Sequence, residues 1–280
     1  MTQLPTQEVI AFVMAGCLYA ASAVLATVQL RSKKETVTWF IVGPVCTAVC
    51  LNCLVLVFRA VSISAIPLTG LFESLLVLNL VLGLLYILMS FGMTQVWFSV
   101  AMIWPMLGLT ILAVLVAEPA AKLDDNMPVT PWTVFHAISM LLSSGAMIFS
   151  TASASLYLLS DYMLKHKKVM SVLGRVPNIE WLRHANKRGL ILSFLGMSLG
   201  LISGIGLTVA ASTKMDMAWT DPKIVLMAGT WCLLIIILSW HTFAGLSDRT
   251  MAYATVVMLF FVIFAVVGVT IFCGTRHVFT

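Results

Sequence analysis

Eight long apolar runs divide this sequence and restrict how it can fold. They cover approximately residues 9–30, 37–58, 68–90, 95–117, 132–160, 189–212, 223–245 and 251–273. A helix needs about 20 mostly apolar residues to cross the hydrocarbon layer of a bilayer. Backbone groups in that layer must bond within their own segment, so runs of this length predict helices. The sequence therefore predicts an all-α integral membrane protein, a bundle of eight transmembrane helices.

The composition excludes an ordinary soluble protein. Hydrophobic side chains make up 61% and charged side chains 10% of the 280 residues, and the mean hydropathy is +1.05. Soluble domains carry about 25% charged residues. No repeat or low-complexity tract divides the chain, so residues 1–280 are predicted to form a single membrane-embedded domain. The segment 162–188 mixes apolar and basic residues, which predicts either an amphipathic cytoplasmic connection on the inner leaflet or a plain helical linker.

The basic residues predict the orientation of the helices. Lys and Arg accumulate in short connections on the cytoplasmic side of membrane proteins. If both termini lie outside, eleven of the 16 Lys and Arg lie inside, and the outer side keeps only Arg59, Lys122, Lys214, Lys223 and Arg276. This topology accounts for the net charge of +5, and the pattern lacks the basic face of a nucleic-acid-binding protein. We therefore expect a multi-pass protein of the cell inner membrane with no nucleic-acid partner.

Three polar segments face outward in this topology: the stretch before the fifth helix, the loop before the seventh helix and the C-terminal tail. Trp219 and Asp221 lie in the outward loop 213–222, His136 lies near the start of the fifth helix, and His277 follows the eighth. Neutral imidazoles are common axial ligands of haem iron, and a Trp face offers an apolar surface to a flat macrocycle. Transporters also place His and Asp in outward vestibules, and a single interfacial His is often only amphipathic. The residues alone leave these interpretations open.

Five segments share their order and spacing with one known family. They are PLTGLFESLL at 67–76, WTVFHAISMLLSSGAM at 132–147, NIEWLRHANKRGLILSFLGMSLGLISG at 178–204, DPK at 221–223 with Thr230 and Trp231 further along, and GVTIFCGTRH at 268–277. Together they resemble the cytochrome c assembly proteins of the CcsA or ResC type, which are relatives of CcmC. The resemblance extends from about residue 66 to the C-terminus, whereas the first 65 residues resemble no family that we can name.

The resemblance implies a haem-binding protein of cytochrome c biogenesis. His136 and His277 match the two outward ligands of the family and would bind the iron of a b-type, non-covalent haem. Trp219 and Asp221 match the family's Trp-rich loop, whose usual pattern is W-G-x-x-W-x-W-D-P-K-E. The loop is reduced here, because Trp219 alone remains and Ile224 replaces the usual Glu. Fewer Trp faces mean less apolar contact with a porphyrin.

The resemblance also implies partners and a second site. The partners would be haem, an apocytochrome c that accepts it, and a second membrane subunit of the CcsB or ResB type. His241 lies about 27 Å along its helix from Lys223, near the inner surface. The family has an inward haem ligand in this region, but His241 comes about two residues late, and an interfacial imidazole beside Trp240 is the alternative. Any enzymatic role would be as a component of a haem-attachment system of the cytochrome c synthetase type, with no catalytic residue.

Two alternatives of a different class stay open at this point. The reduced loop also fits a small-molecule transporter or a non-haem membrane assembly scaffold, whose outward pocket would use the same residues without iron.

Four further polar residues lie within the predicted spans. Glu73 comes early in the third helix, where the positive end of the helix dipole favours a carboxylate, so either a functional or a helix-start role fits it. Cys46, Cys50 and Cys53 form one stripe on the second helix, which fits thiol redox or metal binding, or simply close packing of small residues.

Overall fold

The computed structural model describes residues 5–31, 39–63, 66–68, 70–91, 95–116, 130–167, 176–210 and 222–265. Within these ranges the chain forms helices and no strand. The helices are α1 (Thr6–Arg31), α2 (Trp39–Ile63), α3 (Leu71–Ser90), α4 (Val96–Leu115), α5 (Pro131–Lys165), α6 (Ile179–Ala210), α7 (Pro222–Phe243) and α8 (Asp248–Ile263). The prediction of an all-α fold is confirmed for the described part of the chain.

Seven of these helices, α1 to α7, are long and apolar enough to cross a membrane. The eighth predicted span covers 251–273, but residues 266–273 lie outside the described ranges, and α8 is described over only 16 residues. The count of eight spans and the outer location of both termini therefore stay predictions. The segment 162–188 is partly helical, because α5 extends to Lys165 and α6 already begins at Ile179.

The described residues pack as two compact units, each with its own apolar core. Unit 1 comprises the described residues of 1–127 and 159–179, and unit 2 those of 128–158 and 180–280. In unit 1, α1 packs on α2, α2 on α3, α3 on α4 and α4 back on α1, which gives a closed antiparallel four-helix bundle. The prediction of one membrane-embedded domain over 1–280 stays a prediction.

Buried polar side chains join the helices of unit 1. Asn52 of α2 donates from Nδ2 to the hydroxyl of Tyr19 on α1 at 3.2 Å. Asn79 of α3 donates from Nδ2 to Thr110 Oγ1 at 2.8 Å and to the carbonyl oxygen of Met106 at 3.1 Å, both on α4. In a lipid environment such interhelical hydrogen bonds and close packing provide much of the association between helices.

In unit 2, α5 and α6 pack antiparallel at very short range. A Cβ at Gly189 of α6 would lie 2.7 Å from the Cβ of Ser150 on α5, and a Cβ at Gly196 would lie 3.0 Å from Ser143 Cβ. The Ser143 hydroxyl donates to the carbonyl oxygen of Ser193 at 2.7 Å. Glycines and serines at this spacing let the two backbones approach closely, as is typical of membrane helices. The tight contact fixes the register of α5 on α6.

Candidate functional site

His136 lies in the second turn of α5, and the sequence before it explains where that helix begins. Thr130 precedes the helix, and its hydroxyl accepts a hydrogen bond from the backbone N–H of Thr133 at 3.2 Å. A threonine in this position caps a helix, and Pro131 suits the first helical residue because it has no N–H to satisfy. The half-buried ring of His136 lies against α6, in the register set by the glycines of that helix.

The hydrogen bonds of His136 decide which ring nitrogen carries the proton. Its Nδ1 lies 2.7 Å from the carbonyl oxygen of Gly200 and 3.3 Å from Ser203 Oγ. A carbonyl oxygen can only accept, so Nδ1 is the donor, and the neutral ring has its lone pair on Nε2. Metal-ligating histidines are usually held in this way, with the second ring nitrogen donating to a backbone carbonyl or a carboxylate. His136 therefore has the tautomer that an iron ligand requires.

The ring of His136 also lies directly over a glycine. A Cβ at Gly204 would lie 3.0 Å from Cε1 and 3.2 Å from Nδ1 of His136. One turn earlier, a Cβ at Gly200 would lie 2.8 Å from the side chain of Met140. Because Gly200 and Gly204 have no side chain, α6 leaves space for the imidazole of His136. The ring can therefore lie close enough to bond to the Gly200 carbonyl.

The other predicted outer residues cannot be placed beside His136. Trp219, Asp221 and His277 all lie outside the described residues. The flanking structure is described: α6 ends at Ala210, and α7 begins at Pro222, again with a proline as its first residue. One of the two predicted outer ligands therefore has a described geometry.

His241 lies in the last turn of α7 and contacts the start of α8. Its Nε2 lies 3.1 Å from Oδ1 of Asp248, the first residue of α8. The other carboxylate oxygen, Oδ2, accepts from Nη1 of Arg183 on α6 at 3.1 Å. With Nε2 as the donor, the lone pair of a neutral ring lies on Nδ1, which is buried and has no hydrogen-bond partner among the described residues.

The environment of Asp248 favours its ionised form. Burial acts to raise the pKa of this carboxyl, but the hydrogen bonds from His241 and Arg183, together with the charge of Arg183, outweigh burial and hold the pKa below its ordinary value. Arg183 also pairs with Glu180, which in turn lies 3.1 Å from Nε2 of His184. These charged side chains form a chain of contacts from α6 to α7 and α8.

A comparison with known protein families identifies the chain. Residues 68–275, most of its length, match the family described as Cytochrome C assembly protein. The chain belongs to the cytochrome c assembly protein family. No curated protein and no solved structure matches the chain significantly. With seven helices long enough to cross a bilayer, this family member is a multi-pass membrane protein, and the family indicates a role in cytochrome c biogenesis.

The family match contains four of the five predicted cofactor-binding residues. His136, Trp219, Asp221 and His241 lie within it, and His277 follows just after its end. The family is linked to haem in general, so the chemistry proposed for these residues agrees with it. The narrower CcsA, ResC or CcmC relationship, and the interpretation of 213–222 as a Trp-rich loop, stay predictions.

The cysteine stripe of the second predicted helix lies on the surface of α2. Cys50 and Cys53 are exposed and Cys46 is half-buried, and all three are free thiols. Among the described residues, no group of three or more His, Cys, Asp and Glu side chains is arranged to hold a metal ion.

Arg183 and Asp248 are site residues that the sequence did not predict. They are 65 positions apart and meet only because α6 and α8 pack in the same unit. A local signal existed for Asp248, since Ser247 caps α8 by accepting from the backbone N–H of Thr250 at 3.2 Å, and an acidic residue after a helix cap is common. No local signal connects Arg183 with His241.

Proposed function

We propose that this member of the cytochrome c assembly family binds haem at the outer face of the membrane through His136 and His277 and presents it to an apocytochrome c. Haem supplies the iron that the two imidazoles ligate and the macrocycle that the acceptor receives. The protein's own contribution is to hold the two imidazoles, exclude water from the macrocycle and fix its orientation.

The contact between His136 Nδ1 and the Gly200 carbonyl carries this proposal. At 2.7 Å it holds the ring in one orientation and keeps the lone pair on Nε2, the nitrogen used for iron. An imidazole that was only an amphipathic group at the membrane surface would need no such backbone partner. The donor type also fits, because a neutral imidazole is a usual axial ligand of haem iron.

The loop 213–222 is proposed to cover one face of the macrocycle. Gly204, which lies against the His136 ring, is only six residues before Ala210, the last residue of α6. The loop therefore begins close to the end of α6 against which the His136 ring of α5 lies, and this supports the proposal. Trp219 would offer its indole to the porphyrin, and Asp221 would contribute a polar contact beside it.

His241 is proposed as a ligand of a second, inner haem site. Its half-buried ring is oriented by the Asp248 carboxylate, and Nδ1 carries the lone pair in the neutral ring. A carboxylate that orients an imidazole is a common second contact of metal-ligating histidines. Asp248 acts here as a positioning residue. The opposing ligand would come from a second membrane subunit of the CcsB or ResB type.

The proposed setting is the inner membrane, with eight spans and both termini outside. The excess of Lys and Arg in the connections assigned to the cytoplasmic side supports this orientation. In this setting the His136 end of unit 2 faces the compartment in which cytochromes c are assembled.

The deciding experiment is an absorption spectrum of the purified protein after haem supplementation. We expect bound haem in the wild type, and a clear loss of haem in His136→Ala and in His277→Ala. His166→Ala is the matched control, because His166 is exposed, lies in unit 1 just after the end of α5, and contacts Tyr162 in the last turn of that helix. Its haem content should equal that of the wild type.

Two outcomes would contradict the proposal: a protein that stays colourless with added haem, or unchanged haem in both outer variants. Uptake of a small molecule that depends on Asp221 but on neither outer histidine would instead support the transporter alternative.

A further inference from the structure

Three charged side chains are buried together at one end of the unit 1 bundle. Glu8 lies in the first turn of α1, Arg59 near the end of α2 and Glu73 in the first turn of α3. Their side chains are 1%, 1% and 9% exposed. Both carboxylates contact the same atom, since Glu8 Oε1 lies 3.0 Å and Glu73 Oε1 lies 3.1 Å from Nε of Arg59.

The surroundings of this cluster are apolar. The guanidinium carbon of Arg59 lies 4.7 Å from the centre of the Phe72 ring, and Phe72 packs edge-on against Phe12 with ring centres 5.4 Å apart. The turns next to the three charged residues form one buried hydrophobic cluster of Ala11, Phe12, Val55, Leu56, Phe72, Leu75, Leu76 and Ala113. Water and its dielectric screening are therefore largely excluded from the charges.

Among the described residues, the charges of this cluster do not balance. Arginine stays protonated in proteins, so two ionised carboxylates beside Arg59 leave one surplus negative charge. The two carboxylates lie in the first turns of their helices, where the helix dipole favours a negative charge, whereas Arg59 lies before the last turn of α2. No other charged residue of α1 to α4 is near, since α4 has none and Arg31 lies at the far end of α1. A surplus charge in an apolar interior is costly, and one proton removes it.

Glu8 is the better of the two carriers for that proton. Both of its oxygens are buried and receive no hydrogen bond from the described residues, so the 3.0 Å contact with Arg59 is an ion-pair distance without a well-aimed N–H. Glu73 is the more exposed of the two, and its Oε2 folds back over Gly70, the residue that precedes α3.

We propose that Glu8, Arg59 and Glu73 form a proton-binding site in which the Glu8 carboxyl holds one exchangeable proton at neutral pH. The carboxylate takes this proton from hydronium, which leaves as water, and returns it to water or hydroxide when the site empties. The site is independent of the proposed haem function. All three residues lie in unit 1, and Glu8 and Arg59 precede the part of the chain that matches the family.

Infrared spectroscopy of the whole protein in lipid nanodiscs tests this directly. A protonated carboxyl has a C=O stretching band separate from the carboxylate bands, and the band shifts when the exchangeable proton is replaced by deuterium. We expect one such buried band in the wild type at neutral pH. Glu8→Gln and Glu73→Gln should each abolish it, because either change leaves one carboxylate for one guanidinium. Glu180→Gln, which alters an exposed glutamate of unit 2, should keep it.

The wild-type spectrum decides the matter even if a variant fails to fold. Absence of the band at neutral pH overturns the proposal, as does a band that survives in either Glu8→Gln or Glu73→Gln. A second measurement compares the thermal unfolding of the wild type and Glu8→Gln at increasing pH. The wild type should lose stability as rising pH removes the proton, while Glu8→Gln should show no such loss. Equal alkaline loss in both proteins would also overturn the proposal.

Discussion

The Nδ1 atom of His136 lies 2.7 Å from the carbonyl oxygen of Gly200, so a backbone group of α6 determines the tautomer and the orientation of a histidine on α5. The same stretch of α6 approaches the ring so closely that a Cβ at Gly204 would lie 3.0 Å from its Cε1. Packing of the two helices and the chemistry of the candidate ligand thus depend on the same few residues.

Gly204→Ala should weaken haem binding without preventing folding. The added methyl group would push the His136 ring away from the Gly200 carbonyl, whereas alanine is otherwise favoured over glycine within a helix by about 1 kcal/mol. Loss of a group that orients a metal-ligating imidazole typically costs about 10- to 100-fold in affinity. A haem titration followed by absorbance measures the change.

Gly206→Ala is the matched control for that experiment. Gly206 lies in the same helix, two residues further on, and a Cβ there would meet no atom within 4 Å. Its haem affinity should equal that of the wild type. Equal affinities in all three proteins would show that the position of the His136 ring does not matter for binding.

Asp248→Asn should remove an acid-dependent part of the stability. Hydrogen bonds from His241 and Arg183 hold the pKa of the Asp248 carboxyl below its ordinary value of 3.8. A carboxyl whose pKa is lower in the folded state stabilises the fold at pH values above the unfolded pKa, and this stabilisation is lost as the pH falls through the folded pKa. The wild type should therefore lose thermal stability as the pH falls below the ordinary carboxyl pKa of 3.8, and Asp248→Asn should lose less over the same range.

Asp161→Asn is the control that separates the specific contribution of Asp248 to acid stability from the general effect of removing one negative charge. Asp161 forms an ion pair with Lys165 one turn away on the same helix. Exposed pairs of this kind contribute little to stability, so the acid profile of Asp161→Asn should follow that of the wild type. Identical profiles for wild type and Asp248→Asn would contradict the role given to Asp248.

Helix positions followed from the sequence more readily than contacts between helices. The apolar run 68–90 predicts α3 well, since the helix covers Leu71–Ser90. The run beginning near 189 misses the first turns of α6, because the amphipathic residues from Ile179 onward are also helical. An apolar run in the sequence indicates the part of a helix that lipid or the protein core surrounds. A helix can continue beyond that part into polar turns, as α6 does at its start.

The candidate site shows the same limit. His136 and His241 were predicted as candidate ligands, but their partners Gly200 and Asp248 were not. The sequence indicated either a functional or a helix-start role for Glu73. It did not indicate the ion pair with Arg59, which depends on the packing of α2 against α3. The sequence specifies the chemical type of each side chain. Which residue that side chain contacts depends on which helices pack together and in what register they pack.

Asn79→Leu should destabilise unit 1 by about 1 kcal/mol. The substitution removes the hydrogen bonds from Nδ2 to Thr110 Oγ1 and to the Met106 carbonyl, which join α3 to α4 in the buried interior. Thr47→Val is the control, because the Thr47 hydroxyl is exposed and donates to the carbonyl oxygen of Gly43 within its own helix. Thermal unfolding in one detergent measures both. A Thr47→Val effect as large as that of Asn79→Leu would contradict the assignment of stability to the interhelical bond.

Trp231→Phe should loosen the packing of α7 on α6. The indole Nε1 donates to Ser198 Oγ at 2.8 Å, and the ring stacks on Phe194 with centres 6.0 Å apart. Phenylalanine keeps the stacking and removes the hydrogen bond, so we expect a loss of about 1 kcal/mol from the free energy of unfolding. Trp240→Phe is the control, because Trp240 is largely exposed on the same helix and should tolerate the change. Equal losses in the two variants would mean that reduced ring size, rather than the bond to Ser198, destabilises the protein.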